Sequence, residues 1–157
     1  MLARLPALGV QVIDLEGLAG HRGSALGAQG GGQPSQKGFE TGLAAAVEAL
    51  DPDRPVVIEA ESSRIGRINL PPRLFEAMKA ARRIEIAAPL EARANYLVRA
   101  YADLTEDTDA LVSRLEKLVP LQGRERVAGW IGLAERGAHA ELAAELMQHH
   151  YDPRYAK

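Results

Sequence analysis

Apolar and polar positions follow two rhythms along the first two thirds of the chain. Three short runs rich in β-branched residues, at 9–15 (GVQVIDL), 55–60 (PVVIEA) and 83–88 (RIEIAA), read as strands. The first two are mostly apolar, as parallel strands buried on both faces are. Between them the rhythm is helical. Ser35 can cap a helix whose Phe39, Leu43, Val47 and Leu50 line one face, and Asp51-Pro52 ends it. Pro71-Pro72 opens a second helix carrying Leu74, Phe75 and Met78; Pro89 opens a third, with Ala92, Tyr96 and Arg99 on its surface rows. Strands alternating with helices predict an α/β fold, a mainly parallel sheet covered on both faces with right-handed crossovers.

The last third keeps only the helical rhythm. Leu111, Leu115 and Leu118 recur at helical spacing within 104–119, which stops at Pro120. Two further helices are expected at 122–136 and 138–150, parted by Gly137. The expected organisation is an α/β core over 1–103 and a helical subdomain with a polar, aromatic tail over 104–157. Aromatics near a terminus usually dock it onto the domain.

Composition narrows the function classes. A length of 157 residues suits one ordinary domain, and 46% apolar residues suffice for a core. With 4% aromatics, aliphatic side chains must do most of the packing. The absence of cysteine excludes a disulfide scaffold, a thiolate metal site and a Cys nucleophile within this chain, and fits a cytoplasmic protein. A net charge of -2 does not indicate a strongly basic nucleic-acid binder. Residues 64–99 nevertheless carry eight Lys or Arg against three Glu, which suits either an anion-facing surface or a solvated helix face. No small-residue cleavage site follows the opening residues, and no apolar run approaches the roughly 18 residues of a membrane span.

Candidate chemistry gathers where the first two strands end. Asp14-Leu15-Glu16 leaves the first strand, and Gly20-His21-Arg22-Gly23-Ser24 follows in a glycine-rich stretch over 20–38. A loop after a strand's carboxyl end is where α/β sheets bind ligands. Its glycines let backbone N–H groups approach an anion, and Arg22 can contact phosphate in bidentate fashion. The other reading of Asp14 and Glu16 is as helix caps or ion-pair partners, and of His21 as a solvated loop residue. At the second strand's end, Glu59 and Glu61 alternate and so face the same way. They can share one site, with Glu59 a candidate Mg²⁺ ligand, or be strand-end acids satisfied by Arg64 and Arg67. No HExxH, CxxC, GxSxG, GxGxxG or GxxxxGK[ST] occurs, and adjacent His149 and His150 face different ways on a helix.

Four stretches, taken in order, resemble the tRNA 2-selenouridine synthase family: DLEGLAGHRGSALG (14–27), QPSQKGFE (33–40), IEAESSRIGRINLP (58–71) and HYDPRY (150–155), with the Trp130 helix before the last. The resemblance covers essentially the whole chain. It implies a cytoplasmic transferase that geranylates wobble 2-thiouridine in tRNA and then exchanges the S-geranyl group for selenium. Geranyl diphosphate, selenophosphate and tRNA would be its substrates. It also implies a sheet of the P-loop NTPase type. Two expected parts are missing here: a rhodanese-like domain with its cysteine, and the phosphate loop with the strand before it. Residues 1–8 resemble the end of the helix after that loop, so this chain alone is expected to be incomplete.

Within that resemblance, His21, Arg22, Glu59 and Glu61 are the catalytic candidates. Ser24, Gln36, Lys37, Ser62, Arg64 and Arg67 would bind phosphate or substrate, and Arg73, Lys79, Arg82 and Arg83 would meet tRNA. In a 2-3-1-4 strand order the missing strand lies beside 55–60. Either 83–88 closes onto 55–60, or apolar edges stay exposed. A nucleotide-binding kinase-like α/β domain and a non-catalytic RNA-binding module are the alternatives.

Overall fold

The computed structural model describes residues 2–24, 26–27, 31–60 and 62–155. Glu61, a catalytic candidate, lies outside them. The chain divides into two compact units, Met1–Ile84 and Glu85–Lys157.

In the first unit, strands β1 (Gln11–Ile13) and β2 (Val56–Ile58) pair in parallel, with Gln11 opposite Val56 and Ile13 opposite Ile58. Gln11, the polar residue in an apolar run, sets this register. Its amide donates to the carbonyls of Asp51 and Arg54, each at 3.1 Å, and accepts from the Asp51 N–H at 2.7 Å. The turn before β2 is thereby fixed beside the start of β1. Helix α1 (Leu15–Ala19) follows β1 at once, because Asp14 caps it by accepting from the Gly17 N–H at 2.7 Å. Helix α2 (Gln36–Glu48) starts at the expected cap, Ser35, and buries Phe39 and Leu43. Strands β3 (Arg64–Ile65) and β4 (Ile68–Asn69) form an antiparallel hairpin, and α3 (Pro72–Ala80) follows. Ile13, Leu15, Ala19, Phe39, Leu43, Ile65, Ile68 and Leu70 make the core, with Leu74, Phe75 and Met78 of α3 against it.

The expected third strand does not form. Residues 83–88 have no regular structure, and Ile84 and Ile86 are 78% and 60% exposed. A parallel strand needs a neighbour to complete its ladder. Among the described residues β2 pairs only with β1. Of the two expected outcomes the second holds: β2 is not joined, and Val56 is 40% exposed. The architecture is thus α/β with a small parallel sheet. The β3–β4 hairpin and α1 were not anticipated.

The second unit is helical: α4 (Leu90–Ala100), α5 (Ala102–Thr105), α6 (Thr108–Glu116), α7 (Val119–Gln122), α8 (Arg124–Glu135), α9 (His139–Leu146), a π-helical turn at Met147–Tyr151, and α10 (Asp152–Tyr155). Its buried side chains include Leu111, Leu115, Val127, Trp130, Leu133, Leu142 and Leu146. The unit begins at Glu85 rather than at residue 104, because α4 packs against α9. The helix expected over 104–119 is divided, since Asp107 accepts from the Ala110 N–H at 2.9 Å and caps a new start. Pro120 sits in the first turn of α7 instead of ending a helix, a place where its missing N–H costs nothing. The tail docks as expected: Arg93 on α4 donates to both oxygens of Asp152, at 2.8 and 2.9 Å.

Candidate anion-binding loops at the end of the parallel strands

Two glutamine amides bring the candidate loops together. Gln33 Nε2 donates to the carbonyls of Ala19 at 3.2 Å and Ile65 at 2.9 Å, and its Oε1 accepts from the Arg67 N–H at 2.7 Å. Gln36 grips the hairpin's other strand, donating to the Asn69 carbonyl at 2.9 Å and accepting from the Asn69 N–H at 3.0 Å. Each amide thus offers the hairpin one donor and one acceptor, as a neighbouring strand would. Gly66 opens the two-residue turn with φ of 58°, and a Cβ there would lie 2.2 Å from Gln33 Oε1. The described residues of 20–37 and 59–67 therefore lie on the same side of the first unit, at the carboxyl ends of β1 and β2.

Glu59 sits one residue past β2, level with Asp14 past β1. Its two oxygens accept from the Leu15 N–H at 3.0 Å and the Glu16 N–H at 3.3 Å, at the amino end of α1. Burial pushes its carboxyl above the usual range and Asp14 adds to that; the N–H bonds from Leu15 and Glu16 oppose it. Both oxygens are committed to the helix end. Among the described residues no group of three or more His, Cys, Asp or Glu could hold a metal ion.

His21 is 9% exposed, and its Nδ1 accepts from the Gly23 N–H at 3.1 Å. In the neutral ring this leaves the proton on Nε2. The following loop is tight: the Arg22 N–H donates to the Gly27 carbonyl at 3.0 Å and the Gly27 N–H to the Ser24 carbonyl at 2.9 Å. Lys37 is exposed in the first turn of α2, which holds no acidic residue. Arg64 and Arg67 are exposed on the hairpin. Arg64 Nε donates to the Gly66 carbonyl at 2.8 Å, and Arg67 Nη2 to the Gln33 carbonyl.

Two expected substrate binders have other work. Gln36 holds Asn69, as above. Ser62 Oγ donates to the Arg64 carbonyl at 2.6 Å and accepts from its N–H at 3.2 Å, closing the entry to the hairpin. Of the tRNA candidates, Arg73, Arg82 and Arg83 are exposed on or just after α3. Lys79 pairs with Glu76 at 2.7 Å and lies 5.3 Å from the Phe75 ring centre, which makes it the least available. Sequence reasoning missed Gln33; the signal was two glutamines spaced to meet the two strands of one short hairpin.

In the second unit His150 is 1% exposed, with Nδ1 3.1 Å from Gln122 Nε2 and 2.9 Å from an Arg154 nitrogen. Burial first, and then the Arg154 charge, lower its pKa below the usual histidine value. His149 instead approaches Glu145 at 3.6 Å, so the two histidines do face different ways.

Comparison with known proteins points to one family. The family model described as the tRNA 2-selenouridine synthase AAA domain matches residues 1–121. The tRNA 2-selenouridine synthase of Hydrogenovibrio crunogenus is 34% identical over 91% of this chain and 45% of its own length. That of Alcanivorax borkumensis is 33% identical over 91% of this chain and 47% of its own. That of Shewanella loihica reaches 42% over 58% of this chain. The chain thus spans about half the length of the first two relatives. No solved structure matches it, and among the described residues no helix is long and apolar enough to cross a membrane.

Proposed function

The chain belongs to the tRNA 2-selenouridine synthase family, and we propose that its first unit forms one wall of the site that grips the diphosphate of geranyl diphosphate while the wobble 2-thiouridine of a tRNA is alkylated. The observation that carries this reading is the Gln33 bridge, which holds the His21–Arg22 loop and the Arg67 turn side by side. Departure of diphosphate leaves positive charge developing on the allylic carbon and negative charge on the leaving oxygens. Cations and N–H donors aimed at those oxygens lower the barrier. Arg22, Lys37, Arg64 and Arg67 are the cations, and Ser24 and the glycine-rich backbone the neutral donors. His21, its Nε2 protonated, is a further donor to a phosphate oxygen. Glu59 acts by fixing α1 between β1 and the His21 loop. Selenophosphate, which carries the same kind of anionic group, would use the same cations in the exchange of S-geranyl for selenium. The β1–β2 pair fits the second and third strands of a P-loop-type sheet.

A charged hydrogen bond is worth about 1.5–3 kcal/mol, or roughly 10- to 150-fold in rate or affinity. Arg22→Ala or Arg67→Ala, made in a full-length family enzyme, is expected to lower geranylation by at least about tenfold. Unchanged geranylation in both variants would refute the assignment. Arg73, Arg82 and Arg83 are proposed to meet tRNA phosphates. Changing one to Ala should reduce the slope of log affinity against log salt by about one, and an unaltered slope would remove that residue from the interface.

A further inference from the structure

Arg67 stands on an exposed two-residue turn, a place where a long side chain ordinarily samples many rotamers. An arginine that must meet a phosphate with its fork gains from being held beforehand. The restraint here comes from one residue. Gln33 Oε1 accepts the Arg67 backbone N–H at 2.7 Å, and the Gln33 carbonyl takes one guanidinium N–H. The Pro34 carbonyl lies 3.5 Å from the same nitrogen. Both guanidinium contacts use Nη2, so the Nε and Nη1 side of the fork makes no hydrogen bond among the described residues. The other end of the Gln33 side chain reaches the Ala19 carbonyl at 3.2 Å, two residues before His21. The Gln33 side-chain amide therefore fixes the Arg67 backbone and its spacing from the His21–Arg22 loop, and so sets the main-chain carbonyl of Gln33 where it meets the guanidinium.

We propose that Gln33 is a positioning residue for the anion site, acting on the ligand through Arg67. Gly66 is its obligatory counterpart, because any Cβ there would displace the amide oxygen. The inference rests on the diphosphate reading above. It goes further in making diphosphate affinity depend on a neutral side chain that contacts no ligand. A residue that merely holds the hairpin together would act independently of Arg67.

The test is a titration of inorganic pyrophosphate into this chain, with Gln33→Ala, Arg67→Ala, the double variant and Gln33→Glu, each also checked by thermal melting. Gln33→Glu keeps the length and the acceptor but replaces the two donors with an acid, so it decides the matter if Gln33→Ala does not fold. Misplacing a binding group by about 1 Å can cost up to about 100-fold. Gln33→Ala and Gln33→Glu are expected to weaken binding at least about tenfold, as Arg67→Ala does, and the double variant to bind within about twofold of Arg67→Ala. Fully additive losses, or undiminished binding by a folded Gln33 variant, overturn the positioning role while leaving the anion site intact. Undiminished binding by Arg67→Ala removes the anion site, and the role of Gln33 with it.

Discussion

The two units of this chain are held together by different means. The helical unit, Glu85–Lys157, relies on aliphatic side chains at helical spacing around Trp130, with one ion pair docking its tail. The first unit, Met1–Ile84, has a small apolar core, but its loops are set by Gln11, Gln33, Gln36, Asp14 and Glu59 acting on backbone groups. Burial of apolar area is non-directional and tolerates exchange of similar side chains. A side-chain amide bonded to a named carbonyl is directional. Removing it leaves polar groups unsatisfied at about 1–3 kcal/mol each. The lesson is that the unit built for position, not bulk, is the one that carries the candidate site.

The largest effects should come from the two cores. Trp130→Ala in the helical unit and Phe39→Ala in the first should each cost about 3–5 kcal/mol, read by denaturant melts. Trp130 is the only tryptophan, so its fluorescence in the unchanged chain reports the helical unit alone. A loss near zero at either position would mean that the burial described here is not the source of stability.

Glycine separates the units more sharply. Gly66→Ala meets both a left-handed φ and the Gln33 oxygen, and should destabilise by about 1–3 kcal/mol. Gly129 lies within α8, and a Cβ there meets nothing within 4 Å. Gly129→Ala should therefore stabilise by up to about 1 kcal/mol, the helix-propensity difference. If the two substitutions moved the melting temperature in the same direction, the contrast would be lost.

The smallest effect is on pH dependence, and its sign differs between the units. His150 has a folded pKa below the unfolded value of about 6.5. Below that pH the unfolded chain takes up a proton that the folded one resists, so the helical unit loses stability as pH falls toward the folded pKa. Asp152, held down by Arg93, adds a loss of the same sign at more acidic pH. Glu59 is raised, so its contribution is full below the unfolded carboxyl pKa and is lost as pH rises through the folded one. Lowering pH from 7 should weaken the helical unit, whereas Glu59 alone should favour the first. Melts of His150→Gln and Glu59→Gln across pH 4–7 check this, each variant flattening its own contribution.

Legibility in the sequence follows the same division. The helices of the second unit could be read from the spacing of Leu111, Leu115 and Leu118 and from Gly137, because burial imposes a period. What escaped was the break at Asp107, where a local cap overrides a continuous apolar stripe. In the first unit Ser35 and the parallel pairing of β1 with β2 were legible. The 83–88 run was misread because β-branched composition states a preference, and a strand exists only with a neighbour to pair with. The hairpin was missed because its flanks are two residues each, too short for a period. Gln33 was invisible because an amide in a polar loop looks like any other until the carbonyls it reaches are known. His21, Arg22, Arg64 and Arg67 were identifiable by chemical type. Their grouping depends on Gln33 and Gly66, which chemical type does not reveal.

The most direct test of the central claim is to follow the backbone amides of this chain by NMR while pyrophosphate is added. Amides within 20–27 and within 62–67 are expected to shift together and saturate with one shared dissociation constant, while those of α8 and α9 stay in place. If the two loops titrated with different constants, or only one of them responded, they would not form a common anion site.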